Sequence, residues 1–394
     1  MRAERTFWIV AGSFLAVLCI WLLFPGAPMQ NGTGSQNVLT RHVEESVISK
    51  PHRVEEPVIP KPHVQQHVVH RASRSLLSMT AMELMEDADT TQLTTCQWSN
   101  SVEYIDYQQV TITSMPGNPF EMVVKAGKDD IVSYSIISTN QWEGREVRSV
   151  IDRLALVAKK RGTNVTLLDI GANIGFFSLS AAASGYNVVS VEMMGQNQAS
   201  LLKSICKNPS FHPLMRVIPY GLGERGVDGS RSVCLAYSLM TNSRNGIVKC
   251  GNNVNASDIP EGFSLMGTTL IMEFDEIVPV VPELRNVGVV KLDTEGFEAH
   301  VMKGAYNFFK DVKPPFLKSE TSNFMLIRAG SKPRDLLDLL DELDYEIHDK
   351  FWDGPIVAKN AINATFDGFD QYLLSLGDEG LGEIYMIHRT WLAA

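Results

Sequence analysis

The chain has 394 residues, 44% of them hydrophobic and 20% charged, which supplies a substantial core and excludes a disordered chain. A net charge of −10, with no Lys/Arg run anywhere, argues against nucleic acid as a partner, because phosphate binding needs a basic surface.

Residues 1–6 are a short tail with Arg2 and Arg5. Phe7–Phe24, FWIVAGSFLAVLCIWLLF, is uncharged and near the lower length limit for a bilayer-spanning helix. The next basic residue is Arg41, so the positive-inside rule leaves the tail in the cytosol and predicts a type II signal anchor with the remainder in a Golgi or ER lumen or outside the cell. A cleaved signal peptide is the alternative. The segment is long for an h-region, and PGAPMQ after it is a poor cleavage site. Sequons at Asn31, Asn164, Asn255 and Asn363 fit a lumenal glycoprotein.

Residues 25–95 read as a stalk. VEESVISKPH (43–52) and VEEPVIPKPH (54–63) are a duplication, and prolines 51, 57, 60 and 62 favour an extended spacer. His52, His63, His67 and His70 suit a metal tract or plain polar filler. Ser75–Ala88 has helical spacing and leads into the globular part.

Compact sequence spans residues 96–394. Strands are expected at Val110–Ile112, Phe120–Val124 and Ile131–Ile137, then a helix over Val147–Lys159. From Val165 strands and helices alternate, with strands at Val165–Asp169, Asn187–Glu192, Arg216–Tyr220, Gly288–Asp293, Phe316–Glu320, Tyr345–His348 and Ile384–His388, and a helix over Ser331–Leu343. Residues 231–263 read as an insertion with a hairpin of SVCLAYSL against GIVKC. Cys96, Cys206, Cys234 and Cys250 allow two disulfides, with Cys234–Cys250 the first pair; four separate thiols remain the alternative. No CxxC or Cys/His cluster marks a metal site.

VTLLDIGANIGFFSL (165–179) is a strand, a tight turn and a helix start, the place where an α/β fold holds a nucleotide cofactor. A dinucleotide motif asks for G-x-G-x-x-G, but Asn173 and Phe176 stand at the second and third glycine positions. A phosphate beside Asp169 would cost roughly 3–4 kcal/mol at about 4–5 Å. S-adenosylmethionine fits better, being cationic and free of phosphate. Asp169 then orients its methionine end, directly or through water, and Gly171, Asn173 and Gly175 let the turn approach it. Glu192 accepts from the ribose diol, and Tyr220 and Gly221 flank adenine. A helix N-cap is the plainer reading of Asp169.

These motifs resemble the FkbM family of methyltransferases: LLDIGANIGFFSL, then VVSVE, VGVVKLDTEGFEAHVMKGA (287–305) and FLKSETS from Phe316, with DDIVSYSII and QWEG upstream. The family's Glu-Pro is Glu192-Met193 here, and its Asp-Val-Glu-Gly is Asp293-Thr294-Glu295-Gly296. The resemblance implies a Rossmann-like seven-stranded methyltransferase sheet with helices on both faces, preceded by the anchor and stalk, and methyl transfer to oxygen. On the residues themselves, Asp293 at a strand end is the first candidate for a base, with Glu295 and Glu320 as neighbours that tune it or bind a divalent cation, and Lys291 as their partner. Glu298 and His300 read as helix-face residues. The expected acceptor is a glycan or other secretory hydroxyl; a non-catalytic binding glycoprotein and a nicotinamide-dependent oxidoreductase are the alternatives.

Overall fold

The computed structural model describes residues 77–98, 107–128, 130–226, 228–239, 242–250, 257, 259–360, 368–377 and 380–393. The anchor Phe7–Phe24, the proline-containing stalk with its histidines, and Asn31, Asn255 and Asn363 lie outside the described residues. Among the described residues no helix is long and apolar enough to cross a membrane. Asn164 is exposed.

The elements run α1 (Ala81–Trp98), β1 (Tyr107–Ile112), β2 (Phe120–Lys125), α2 (Ile131–Thr139), α3 (Gly144–Arg161), β3 (Thr166–Ile170), α4 (Phe176–Ala183), β4 (Asn187–Val191) and α5 (Gly195–Lys207). There follow β5 (Met215–Ile218), β6 (Gly221–Leu222), β7 (Ser232–Leu239), β8 (Asn242–Lys249), β9 (Phe263–Met272), α6 (Phe274–Ile277) and β10 (Val287–Leu292). The last third holds α7 (Glu298–Gly304), α8 (Tyr306–Val312), β11 (Phe316–Ser322), α9 (Asn323–Arg328), α10 (Pro333–Glu342), β12 (Tyr345–Asp349), β13 (Ile356–Val357), α11 (Phe369–Leu376), β14 (Leu381–His388) and α12 (Arg389–Leu392).

The main sheet has the order β13-β12-β14-β11-β10-β3-β4-β5. Strands β5, β4, β3, β10 and β11 are parallel, whereas β14 runs antiparallel between β11 and β12. The expected seven strands are present, and β13 adds a two-residue eighth at the edge. Alternate residues of β3 and the residue before it enter opposite cores: Leu168 and Ile170 on one face, Val165 and Leu167 on the other. That period of two is why each buried strand reads as a continuous apolar run and both faces need helices. The strand order reverses between β3 and β10, where open α/β sheets place their ligands.

Three expectations need correction. Ile131–Thr139 is helical, although its isoleucines and valine suggest a strand. Asp130 caps it by accepting from Ser133 N at 2.7 Å, and the buried Val132 and Ile136 lie one turn apart. The 231–263 insertion ends too early, because the chain from Phe263 forms the ten-residue β9. That strand pairs with both β7 and β6 in a separate four-stranded sheet, β6-β9-β7-β8.

The folded body also begins before residue 96, within the compact unit Val69–Ala394. Thr80 and Glu83 form a capping box at the start of α1, and Leu84, Met85 and Ala88 enter the core. Asp89 pairs with Arg216, and a Cys96–Cys206 disulfide ties α1 to α5. A second disulfide, Cys234–Cys250, closes the β7–β8 hairpin.

Candidate active site

The β3–α4 turn is shaped by three left-handed residues, Gly171, Asn173 and Gly175, at φ 78°, 53° and 88°. Gly171 N and Ala172 N both donate to Val191 O, which fixes the turn on β4. A Cβ at Gly171 would fall 1.8 Å from Asp293 O, so the turn presses against the end of β10. Glycine is required there by space as well as by φ.

Glu192 directly follows β4 and is 5% exposed. Its Oε2 accepts from Asn173 N and its Oε1 from Met194 N, both at 2.7 Å. Burial pushes its carboxyl up to about 7 against these two donors. Oε1 also accepts from Asn197 Nδ2 at 3.4 Å, so Oε2 is the oxygen that keeps a further lone pair. The carboxylate lines a cleft over the carboxyl ends of β3, β4 and β10.

One wall of the cleft is Tyr220, Gly221 and Leu222, closed from behind by Ile271. Met194 and the hairpin residues Gly246 and Val248 form another, and a Cβ at Gly246 would stand 2.5 Å from Met194 Sδ. The floor continues through Asp293, Thr294 and Glu295 to Phe297. Among the described residues the lining contains three carboxylates and no Lys, Arg or His.

Asp169 is not part of that lining. It is fully buried beneath the turn, where Ser178 Oγ donates to it at 2.6 Å and Lys291 Nζ stands 3.6 Å away. Burial raises its carboxyl, opposed by Lys291 and Ser178. Lys291 in turn donates to Gly171 O at 2.7 Å and pairs with Asp293 at 3.2 Å. Burial disfavours its ammonium, but Asp293 and Asp169 outweigh that and hold it charged. Asp169 therefore reaches the cleft only through Lys291, whereas Asp293 and Glu295 are in the lining itself.

Glu295 has a left-handed backbone at φ 55°, and burial together with Asp293 and Glu298 pushes its carboxyl up to about 8. Glu320, from β11, is raised well above its ordinary value by burial and by Asp293, Glu295 and Glu298. Glu298 is buried and staples the 293–296 turn: its Oε1 accepts from Thr294 N at 2.8 Å and Gly296 N at 3.2 Å. The reading of Glu298 as a helix-face residue missed this inward capping role. His300 sits between Glu224 Oε1 and Ala329 O, at 3.0 Å from each.

Lys318 and Glu143 lie in stretches the sequence singles out, yet their roles escaped it. Lys318 is buried on β11 and bonds Glu383 Oε1 at 3.0 Å, and burial, opposed by Lys318, pushes the Glu143 carboxyl up to about 7. Glu383, on the antiparallel β14, had no local signal at all. Among the described residues no group of three or more His, Cys, Asp or Glu side chains could hold a metal ion.

The donor set fits S-adenosylmethionine. A held carboxylate with a lone pair to spare on Oε2 suits a ribose hydroxyl, an apolar wall with a glycine suits adenine, and a lining without basic residues suits a cationic ligand. The sheet order and the cleft at its switch point define a Rossmann-like methyltransferase fold. Residues 169–347 match the Methyltransferase FkbM domain model, so this stretch is an FkbM methyltransferase domain and its cofactor is S-adenosylmethionine.

Solved structures similar to the chain include precorrin-6y C5,15-methyltransferase from Geobacter metallireducens, at 10% identity over 64% of this chain and 90% of that one, with a TM-score of 0.29. Another is a SAM-dependent methyltransferase from Agrobacterium tumefaciens, at 9% identity over 73% and 71%, with a TM-score of 0.31. At these scores the assignment rests on the family match and the site instead. No curated protein matches the chain.

Proposed function

We propose that the protein is an O-methyltransferase of the secretory pathway, held by Phe7–Phe24 as a type II anchor and acting on a glycan or another hydroxyl-bearing acceptor. The observation that carries the reading is the cleft in which Glu192, Asp293 and Glu295 meet at the sheet's switch point with no basic residue in the lining. Two disulfides fit an oxidising compartment, since thiols stay reduced in the cytosol.

S-adenosylmethionine, when bound, supplies an electrophilic methyl group on a cationic sulfur. Glu192 holds the ribose, Asn173 and the flanking glycines shape the turn around the cofactor, and Tyr220 and Gly221 flank the adenine. Asp293, fixed by Lys291 at 3.2 Å, orients the acceptor hydroxyl; Glu295 and Glu320 stand beside it and add negative potential. In-line displacement gains most from such positioning. Asp169 supports the site from below through Lys291 and Gly171.

The test is incubation of the full chain with methyl-labelled cofactor and a pooled glycan and glycoprotein extract. Label in an ether-linked methyl group on a glycan supports the reading. Cofactor binding with no labelled product in any fraction contradicts it and favours a binding protein that keeps the fold.

A further inference from the structure

The stretch EMMGQNQ runs from Glu192, just past β4, to Gln198 in the first turn of α5, where Gln198 N donates to Met194 O at 2.9 Å. Its last two side chains turn back on its first residue. Asn197 Nδ2 donates to Glu192 Oε1 at 3.4 Å, and Gln198 Nε2 donates to Glu192 O at 2.7 Å. Gln198 Nε2 also donates to Pro219 O at 3.2 Å, one residue past the end of β5. A primary amide has two N–H groups, and both are spent here, one on each strand end.

The pairing of β4 with β5 ends at Val191 and Ile218, with Glu192 N reaching Ile218 O at 3.1 Å. Beyond that point the two chains part, Glu192 toward α5 and Tyr220 toward β6. Glu192, Tyr220 and Gly221 all line the cleft, and the Gln198 amide bridges the chains where they separate. The side chains are held from other directions. The Glu192 carboxylate accepts from Asn173 N, Met194 N and Asn197, and Tyr220 Oη donates to Leu84 O at 3.4 Å. Ribose and adenine are joined by one bond of fixed length. A pocket that grips both therefore tolerates a change in the spacing of its grips of only about 0.5 Å.

We propose that Gln198 is a positioning residue for S-adenosylmethionine, its amide setting the spacing between the ribose carboxylate of Glu192 and the adenine wall at Tyr220 and Gly221. This rests on the assignment of ribose and adenine to those residues above. Gln198 is outside the cleft lining and acts through the two strand ends it holds. An apolar side chain of the same length would fill its space but leave Glu192 O and Pro219 O without that donor, and the strand ends would be free to move apart.

The test is titration calorimetry of the full chain with S-adenosylmethionine and with 5′-methylthioadenosine, which keeps the ribose and adenine and lacks the amino-acid end. Gln198→Met raises the Kd of both ligands by the same factor, on the order of 10-fold, with the number of binding sites per chain unchanged. A role in folding alone would lower the number of sites and leave the Kd unmoved. Added to Glu192→Gln, Gln198→Met costs less than it does alone, because the ribose grip whose place it sets is already weakened.

An unchanged Kd in Gln198→Met, while Glu192→Gln binds more weakly, overturns this proposal alone. So does a loss confined to S-adenosylmethionine, or a double variant whose loss is the product of the two single losses. If Gln198→Met does not fold, Gln198→Glu decides, since its ionised carboxylate donates to neither carbonyl and its protonated acid donates to one. A Kd raised over wild type at pH 8 and closer to it at pH 5 supports the proposal; a Kd equal to wild type at both overturns it. Full affinity in Glu192→Gln overturns the ribose assignment, and this proposal with it.

Discussion

Asp169 and Lys291 sit side by side in register on the parallel strands β3 and β10, with their charges 3.6 Å apart and both side chains sealed from solvent. The pair lies directly under the glycine turn, and its lysine continues to Gly171 O and Asp293. A buried charge that loses its partner is costly even when the intact pair adds little net stability. Asp169→Ala is therefore expected to destabilise the protein by about 3–5 kcal/mol in denaturant titration, with cofactor affinity falling as Lys291 and the turn shift. An unchanged denaturation midpoint would show that the pair is not a support.

Glu192 gives a different signature. Its carboxylate is held by two backbone donors and by Asn197 Nδ2, and Oε2 keeps a lone pair. Charge-assisted hydrogen bonds contribute about 1.5–3 kcal/mol each, so Glu192→Gln should raise the Kd for S-adenosylmethionine on the order of 10–100-fold. Calorimetry checks this, with a thermal melt to verify the fold. Full affinity in the variant would mean that the ribose lies elsewhere.

Three carboxyls stand above their ordinary values: Glu143 and Glu192 at about 7, Glu295 at about 8. An unfolded glutamate titrates near about 4.3, so the folded protein holds more protons between that value and 8. Their contribution to stability is full below about 4.3 and is lost as pH rises through 7 and 8, so the ligand-free Tm should fall across that range. A cationic ligand favours the ionised forms and reverses the sign on binding. Calorimetry at pH 6.5 in two buffers of different ionisation enthalpy should register proton release with S-adenosylmethionine; proton uptake would contradict the assignment.

The disulfides separate two effects. Cys96–Cys206 encloses 110 residues and Cys234–Cys250 encloses 16. In the chain-entropy account these closures stabilise by about 4–5 and about 3 kcal/mol. Serine replacements should lower stability in that order. Only the Cys234 and Cys250 variants should also weaken cofactor binding, because their hairpin brings Gly246 and Val248 to the cleft. Equal cofactor affinity in all variants would show that the hairpin's register does not matter to the site.

Much of this was legible along the chain. The strand ends at Asp169, Glu192 and Asp293 announce themselves because buried parallel strands are unbroken apolar runs that stop at a polar residue. The β3–α4 turn is visible through Gly171, Asn173 and Gly175. Depth was less legible: Asp169 and Asp293 look alike in sequence, yet one is sealed beneath the turn and the other lines the cleft. Long-range pairing was hidden too. Glu383 meets Lys318 only because β14 inserts antiparallel beside β11, and no local pattern carries that information. Ile131–Thr139 misled because β-branched residues favour strands, and the cap at Asp130 with tertiary burial outweighed that propensity.

The electrostatic character of the cleft is the central claim, and titration calorimetry of the full chain with S-adenosylmethionine and with NADH, each in turn and in competition, tests it most directly. A saturable heat for the sulfonium compound, unaffected by NADH, is the predicted result. Heat with NADH and none with S-adenosylmethionine would contradict the account.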